Sequence, residues 1–131
     1  YGASSTFHCL SLAMMEQCLR GEELRARHQA ALLKLRKRAL QDKARAELAW
    51  LGHQKRCLEK LQDSQGASAM ATEQRRILTE LKQEQAEIQH LQNIYRAAHQ
   101  ERKLLLKQQR EILVMQHSTA RIHERLRNLA G

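Results

Sequence analysis

The sequence predicts an all-α fold in which two long helices fold back on each other as an antiparallel coiled-coil hairpin. Three observations predict it. No proline interrupts the 131 residues, and only five are glycine. Hydrophobic residues make up 42% of the chain but aromatics only 3%; the rest is dominated by Gln, Glu, Lys and Arg, which lose little rotamer freedom in a helix. Finally, a single segment, Gln62–Thr72 ("QDSQGASAMAT"), gathers Asp, Ser, Gly and other small residues in one place, with Gly66 at the middle of the chain.

The first arm is expected over about 5–62, beginning near Ser5, the link over about 63–68, and the second arm over about 69–130, with Ser68 and Thr72 as candidate N-caps. Each arm would run roughly 85–90 Å at 1.5 Å per residue, and a short polar link between equal arms favours an antiparallel return. The chain reads as a single hairpin over 1–131, cut from a longer polypeptide, because it starts at Tyr1 with no basic leader before its first apolar residues.

Heptad-like spacing on the first arm selects His28, Leu32, Leu35, Ala39, Asp42, Ala46, Trp50, His53, Cys57 and Leu61. On the second arm it selects Ile77, Leu81, Glu84, Ile88, Leu91, Tyr95, Ala98, Arg102, Leu105, Gln109 and Ile112, continuing through Thr119, Ile122, Leu126 and Leu129. With the link centred on Gly66, facing residues carry numbers summing to about 132, which sets Trp50 against Leu81 and Lys82 and Leu35 against Ala97 and Ala98. A seam-buried Trp50 would lose about 3 kcal/mol on truncation to alanine. A second stripe, Leu33, Leu40, Leu51 and Leu58, lies off this seam and is read as open to a further contact. At the open end, "LLLKQQREILVM" (Leu104–Met115) is apolar on more than one face, as is its counterpart "LSLAMMEQCL" (Leu10–Leu19). A two-helix seam covers only part of that surface, leaving a partner coil or a fatter seam to account for the rest.

Charge supplies the functional lead. Lys and Arg number 23 against 14 Asp and Glu, a net +9, which directs attention to acidic partners. Arg20, Arg27, Lys34, Arg38, Arg45 and Arg56 fall within about 40° of one another on a helical wheel. From Arg25 to Arg45 eight bases meet one acid, Asp42, so pairs such as Glu16–Arg20 and Asp42–Arg45 neutralise only part of the stripe. These six are the candidate binding residues for an acidic partner.

Other classes fare worse. Two helices offer no pocket for a small-molecule substrate, and neither a phosphate loop nor a nucleophile motif is present, so no enzyme activity and no cofactor are expected. His53 and Cys57 stand one turn apart but face no third or fourth metal ligand, and the other histidines, His8, His28, His90, His99, His117 and His123, share no spacing. Cys9, Cys18 and Cys57 are too scattered for a disulfide framework and suit a reducing cytoplasm. No apolar run approaches the roughly 18 residues of a membrane span. Anionic lipid is disfavoured because the opposite face is committed to the seam and offers no free apolar wedge. Nucleic acid is a weaker alternative than an acidic protein surface, because leucines are threaded through the cations, unlike the bare basic region of a basic zipper, and aromatic platforms are lacking.

Two segments carry a family resemblance. "RARHQAALLKLRKRALQDKARAELAWLGHQKR" (Arg25–Arg56) and "LKQEQAEIQHLQNIYRAAHQERKLLLKQQREI" (Leu81–Ile112) resemble a coiled-coil segment of the family of centrosome-associated protein 350 and its relative, coiled-coil domain-containing protein 187. The "AELAWL" and "LLLKQQ" strings are its most specific parts. It covers about half the chain, leaving out Tyr1–Leu19 and the link around Gly66. The resemblance implies a cytoskeletal scaffold of the cytoplasm, at centrosomes, centrioles or the ciliary base and axoneme, contributing to microtubule anchoring. The acidic partner would then be tubulin or a microtubule-associated protein. The alternative is an assembly module that docks other coiled-coil proteins through its apolar open end without touching microtubules.

Overall fold

The computed structural model describes residues 2–131, with side chains described for Phe7 and from Cys9 onward; Tyr1 and the side chain of His8 lie outside the described residues. Two helices, α1 (Gly2–Lys60) and α2 (Ser64–Ala130), pack against each other as a helical hairpin. Among the described residues no helix is long and apolar enough to cross a membrane.

The turn between them is tighter and earlier than its composition suggests. α1 ends in a Schellman arrangement: Asp63 N donates to Leu58 O at 2.9 Å and Gln62 N to Glu59 O at 3.1 Å. The left-handed residue this motif requires is Gln62, at φ 61°, where glycine is usual. Asp63 then caps α2. Its Oδ1 accepts from Gly66 N at 2.9 Å and its carbonyl accepts from Ala67 N at 3.1 Å, so the expected caps Ser68 and Thr72 lie inside the helix, where the Thr72 hydroxyl donates back to Ser68 O at 3.0 Å. Gly66 does not make the bend. It is needed for closeness: a Cβ there would stand 2.6 Å from Asp63 Oδ2 and 3.1 Å from Leu58 Cδ1.

Moving the turn from Gly66 to Gln62 shifts the pairing. Facing residues have numbers summing to about 124 instead of about 132, as in Glu22 with Arg102 and Gly52 with Gln74. The chain divides into two compact units, one built from the residues up to His28 with Tyr95–Gly131, the other from Gln29–Ile94.

In the Gln29–Ile94 unit the core is Ala44, Leu51 and Ile77, against which Leu48, Met70 and Leu81 pack. Leu33 and Ala67 are buried, and Ile88 is fully so. The face that α1 buries is therefore the stripe Leu33, Leu40, Leu51 and Leu58, which the spacing left open, and the predicted seam faces solvent: Leu32 is 65% exposed, Leu35 59%, Trp50 61%, and Leu61 is exposed as well. The physical reason is where the chain reverses: with the turn at Gln62 the Leu33 stripe is the one that meets α2, and it brings in small Ala44 for close helix approach. On α2, Leu81 packs on the core and Leu91 is half-buried.

In the terminal unit Leu19 is buried and Leu12, Met15, Leu106 and Leu113 are half-buried. The predicted seam residues Leu105 and Ile112 are exposed, one position off the face used. Arg102 belongs to both rows. Beyond it the half-buried residues are Leu106, Arg110 and Leu113, each one position after the predicted Leu105, Gln109 and Ile112, because the step from Arg102 to Leu106 is four residues where the prediction took three.

Candidate partner-binding surfaces

Once the Leu33 stripe is committed to α2, helical geometry leaves α1 with two further faces, each about 120° from the seam. One carries the cations. In the Gln29–Ile94 unit Lys34, Arg38, Arg45 and Arg56 are all exposed. Arg45 lies 3.7 Å from Asp42, but among the described residues Lys34 and Arg38 make no ion pair within 4 Å. In the terminal unit Arg20 and Arg27 are exposed; Arg20 is held by its hydrogen bond to Gln17 Oε1 at 3.0 Å, and Arg27 lies near enough to Glu23 to lower its pKa. A fully hydrated cation gains little from an isolated surface pair, so within each unit these cations are available to an anionic surface.

The other face is apolar. Leu32, Leu35, Ala39, Ala46 and Trp50 are exposed along it. Trp50 borders an open groove of about 600 Å³ whose other walls include Met70, Glu73, Arg76 and Ile77. Arg76 pairs with both Glu73 and Glu80, the latter at 2.6 Å, and the two carboxylates hold its guanidinium still more firmly protonated than usual, while Arg76 holds the Glu73 carboxyl below the ordinary range.

The terminal unit contains a polar layer that the spacing alone did not reveal. Glu22, 4% exposed, sits in the seam and accepts from His99 Nδ1 at 3.0 Å and Arg102 Nε at 2.8 Å, with Arg25 at 3.7 Å. Burial alone pushes its carboxyl upward, but the hydrogen bonds from His99 and Arg102 and the charges of Arg102 and Arg25 outweigh it and leave the group below the usual range. Beside it Glu23 meets Lys103 Nζ at 2.5 Å, a contact that lowers its pKa too, and Glu16 accepts from Arg110 at 3.0 Å. A signal was present: Glu22 continues the Leu19, Glu22, Ala26, Leu33 stripe, and an acid inside an apolar stripe needs bases at the matching height of the other arm. That height is correct only with the turn at Gln62.

His53 Nε2 and Cys57 Sγ lie 3.7 Å apart. Among the described residues no group of three or more His, Cys, Asp or Glu is arranged to hold a metal ion.

No family model matches the chain, and no solved structure matches it. Among curated proteins, 127 residues align at 41% identity with centrosome-associated protein 350 of Mus musculus, covering 97% of this chain and 4% of that protein. The chain is similar to one short segment of that protein. An alignment of this length also takes in Gly66 and most of Tyr1–Leu19, so the similarity extends beyond the two segments that first carried it. It spans the arms and the turn together.

Proposed function

We propose that the chain is a non-enzymatic helical scaffold of the centrosome and cytoskeleton, and that the cationic face of α1 holds an acidic protein surface. Tubulin in a microtubule is the proposed surface, and microtubule anchoring the proposed consequence, whether at the centrosome or at a ciliary base. The observation that carries this reading is the set of exposed cations, Lys34, Arg38, Arg45 and Arg56 in the Gln29–Ile94 unit and Arg20 and Arg27 in the terminal unit, each outside the seam of its own unit. The similarity to a centrosome-associated protein supports the location. Because the chain spans 4% of that relative, the attachment is proposed for this segment alone.

Co-sedimentation with microtubules at two salt concentrations tests it. Binding at low salt should weaken as screening increases and should be abolished by reversing Arg27, Lys34, Arg38 and Arg45 to Glu. Binding that is absent at low salt, or indifferent to the reversal, refutes the electrostatic reading. A second reading rests on the exposed apolar residues Leu104, Leu105, Ile112, Val114 and Met115 of α2: the terminal unit docks a partner coil, with no microtubule contact. A pull-down that survives the charge reversal and fails on Leu105→Asp favours it.

A further inference from the structure

The Leu32–Trp50 face of the Gln29–Ile94 unit faces water, although three large apolar side chains on it are each more than half exposed. Its charged surroundings say what it fits. Within this unit the α1 arm, Gln29–Lys60, carries nine basic and three acidic residues, and the α2 arm, Ser64–Ile94, three basic and four acidic. Helical geometry puts Arg36 and Lys43 beside the Leu32–Trp50 stripe on α1. On α2 it puts Glu80 and Glu87 on the side of Glu73 and Arg76, the residues that share the groove with Trp50. Lys43 lies 3.9 Å from Glu47 on its own helix and Arg76 holds Glu73 and Glu80. The charges this face leaves without an ion pair among the described residues are therefore Arg36 on the α1 side and Glu87 on the α2 side, with apolar residues between them.

We infer that this face binds a second copy of the chain, giving a symmetric four-helix dimer. A two-fold axis parallel to the helices lays α1 of one copy over α2 of the other, so that the Arg36 side meets the Glu87 side, and it does so twice. An arrangement of α1 on α1 would instead oppose two cationic arms. The axis preserves height along the helices, and heights within the hairpin match where numbers sum to about 124. Arg36 of one copy therefore comes level with Glu87 of the other. Trp50 comes level with the stretch of α2 that includes Met70 and Ile77, which wall the groove. A large aromatic entering a partner's groove, here with Met70 and Ile77 on its apolar side and Glu73 and Arg76 on its charged side, is the usual centre of binding energy in such interfaces. This proposal does not depend on microtubule attachment, since the cation it uses, Arg36, is outside the six assigned to that role.

Sedimentation equilibrium of the 131-residue chain tests it. The expected mass is twice 15.2 kDa, falling to the single-chain mass on dilution. Trp50→Ala should raise the dissociation constant about tenfold or more. Because Trp50 is exposed within one copy, far-UV circular dichroism should show unchanged helix content. Arg36→Glu and Glu87→Lys should each weaken the dimer, and the double variant should regain most of the loss. A single-chain mass at all concentrations overturns the inference, as does a dimer indifferent to Trp50→Ala. So does a chain that is monomeric alone and uses Trp50 only to bind a different helical protein.

Discussion

The two units of this hairpin hold the same pair of helices together by different means. Gln29–Ile94 does so with methyl groups, Ala44, Leu51 and Ile77 at its core and Ile88 fully enclosed, while its ion pairs, such as Arg76 with Glu80 or Arg45 with Asp42, run along single helices. The terminal unit reverses the assignment: Glu22, Glu23 and Glu16 reach across to His99, Arg102, Lys103 and Arg110. Apolar packing is strong but tolerates sliding by a heptad, because one leucine resembles the next. A buried carboxylate with two assigned donors does not slide. Adhesion and registration are thus divided between the units.

Ile88→Ala should break the apolar side with the largest effect, about 3–4 kcal/mol, from the lost transfer energy and the cavity left behind. Chemical denaturation gives the magnitude, and amide exchange should place the loss in Gln29–Ile94. If exchange there is unaltered, the adhesion is not where the packing puts it. Glu22→Ala acts on the other side. It should cost about 2 kcal/mol, chiefly by leaving His99 without its acceptor, and disulfide trapping between cysteines placed at neighbouring heights should then capture slipped registers.

Acidity offers the same test without mutation. The Glu22 carboxyl titrates below its ordinary value of 4.5 when folded, so the unfolded chain binds the proton first. Its contribution is present above about pH 4.5 and lost as pH falls through the folded value. The Glu22→Gln variant should show a flatter stability profile in that window, and a profile identical to the parent's would remove Glu22 as the cause. At the turn the effects are smaller. Asp63→Ala should cost about 1 kcal/mol through the lost cap. Gln62→Gly should gain about 0.5–1 kcal/mol by relieving the left-handed conformation. Thermal melting resolves both.

The fold class was legible because helix-forming composition, absent proline and one break leave few alternatives. The apolar residues of α2 nearest the turn were legible too, since Ile77, Leu81 and Ile88 form one aliphatic stripe with no rival. α1 has two rivals, Leu32–Leu35–Trp50 and Leu33–Leu40–Leu51–Leu58, equally leucine-rich, and the choice between them rests on where the chain reverses. Gly66 drew the reversal to itself on propensity. The true bend uses Gln62, a residue with no turn signature, which Asp63 holds in place from the following position. The cationic stripe was legible because it needs only helical periodicity. The polar layer around Glu22 was not, because it needs the register of two arms at once.

Asp63 ends one helix and begins the next, so the connection contains no spare residue. In such an arrangement loop length acts as a selector. Each residue inserted between Lys60 and Ser64 would turn α2 by about 100° and offer a different row of its side chains to α1. A one-residue insertion would therefore not lengthen a slack loop. It would re-mesh the two helices on another row of α2, turning Ile77 and Ile88 away from the Leu33 stripe. The connection is where a change of one codon would rewrite which surface this chain shows to the outside.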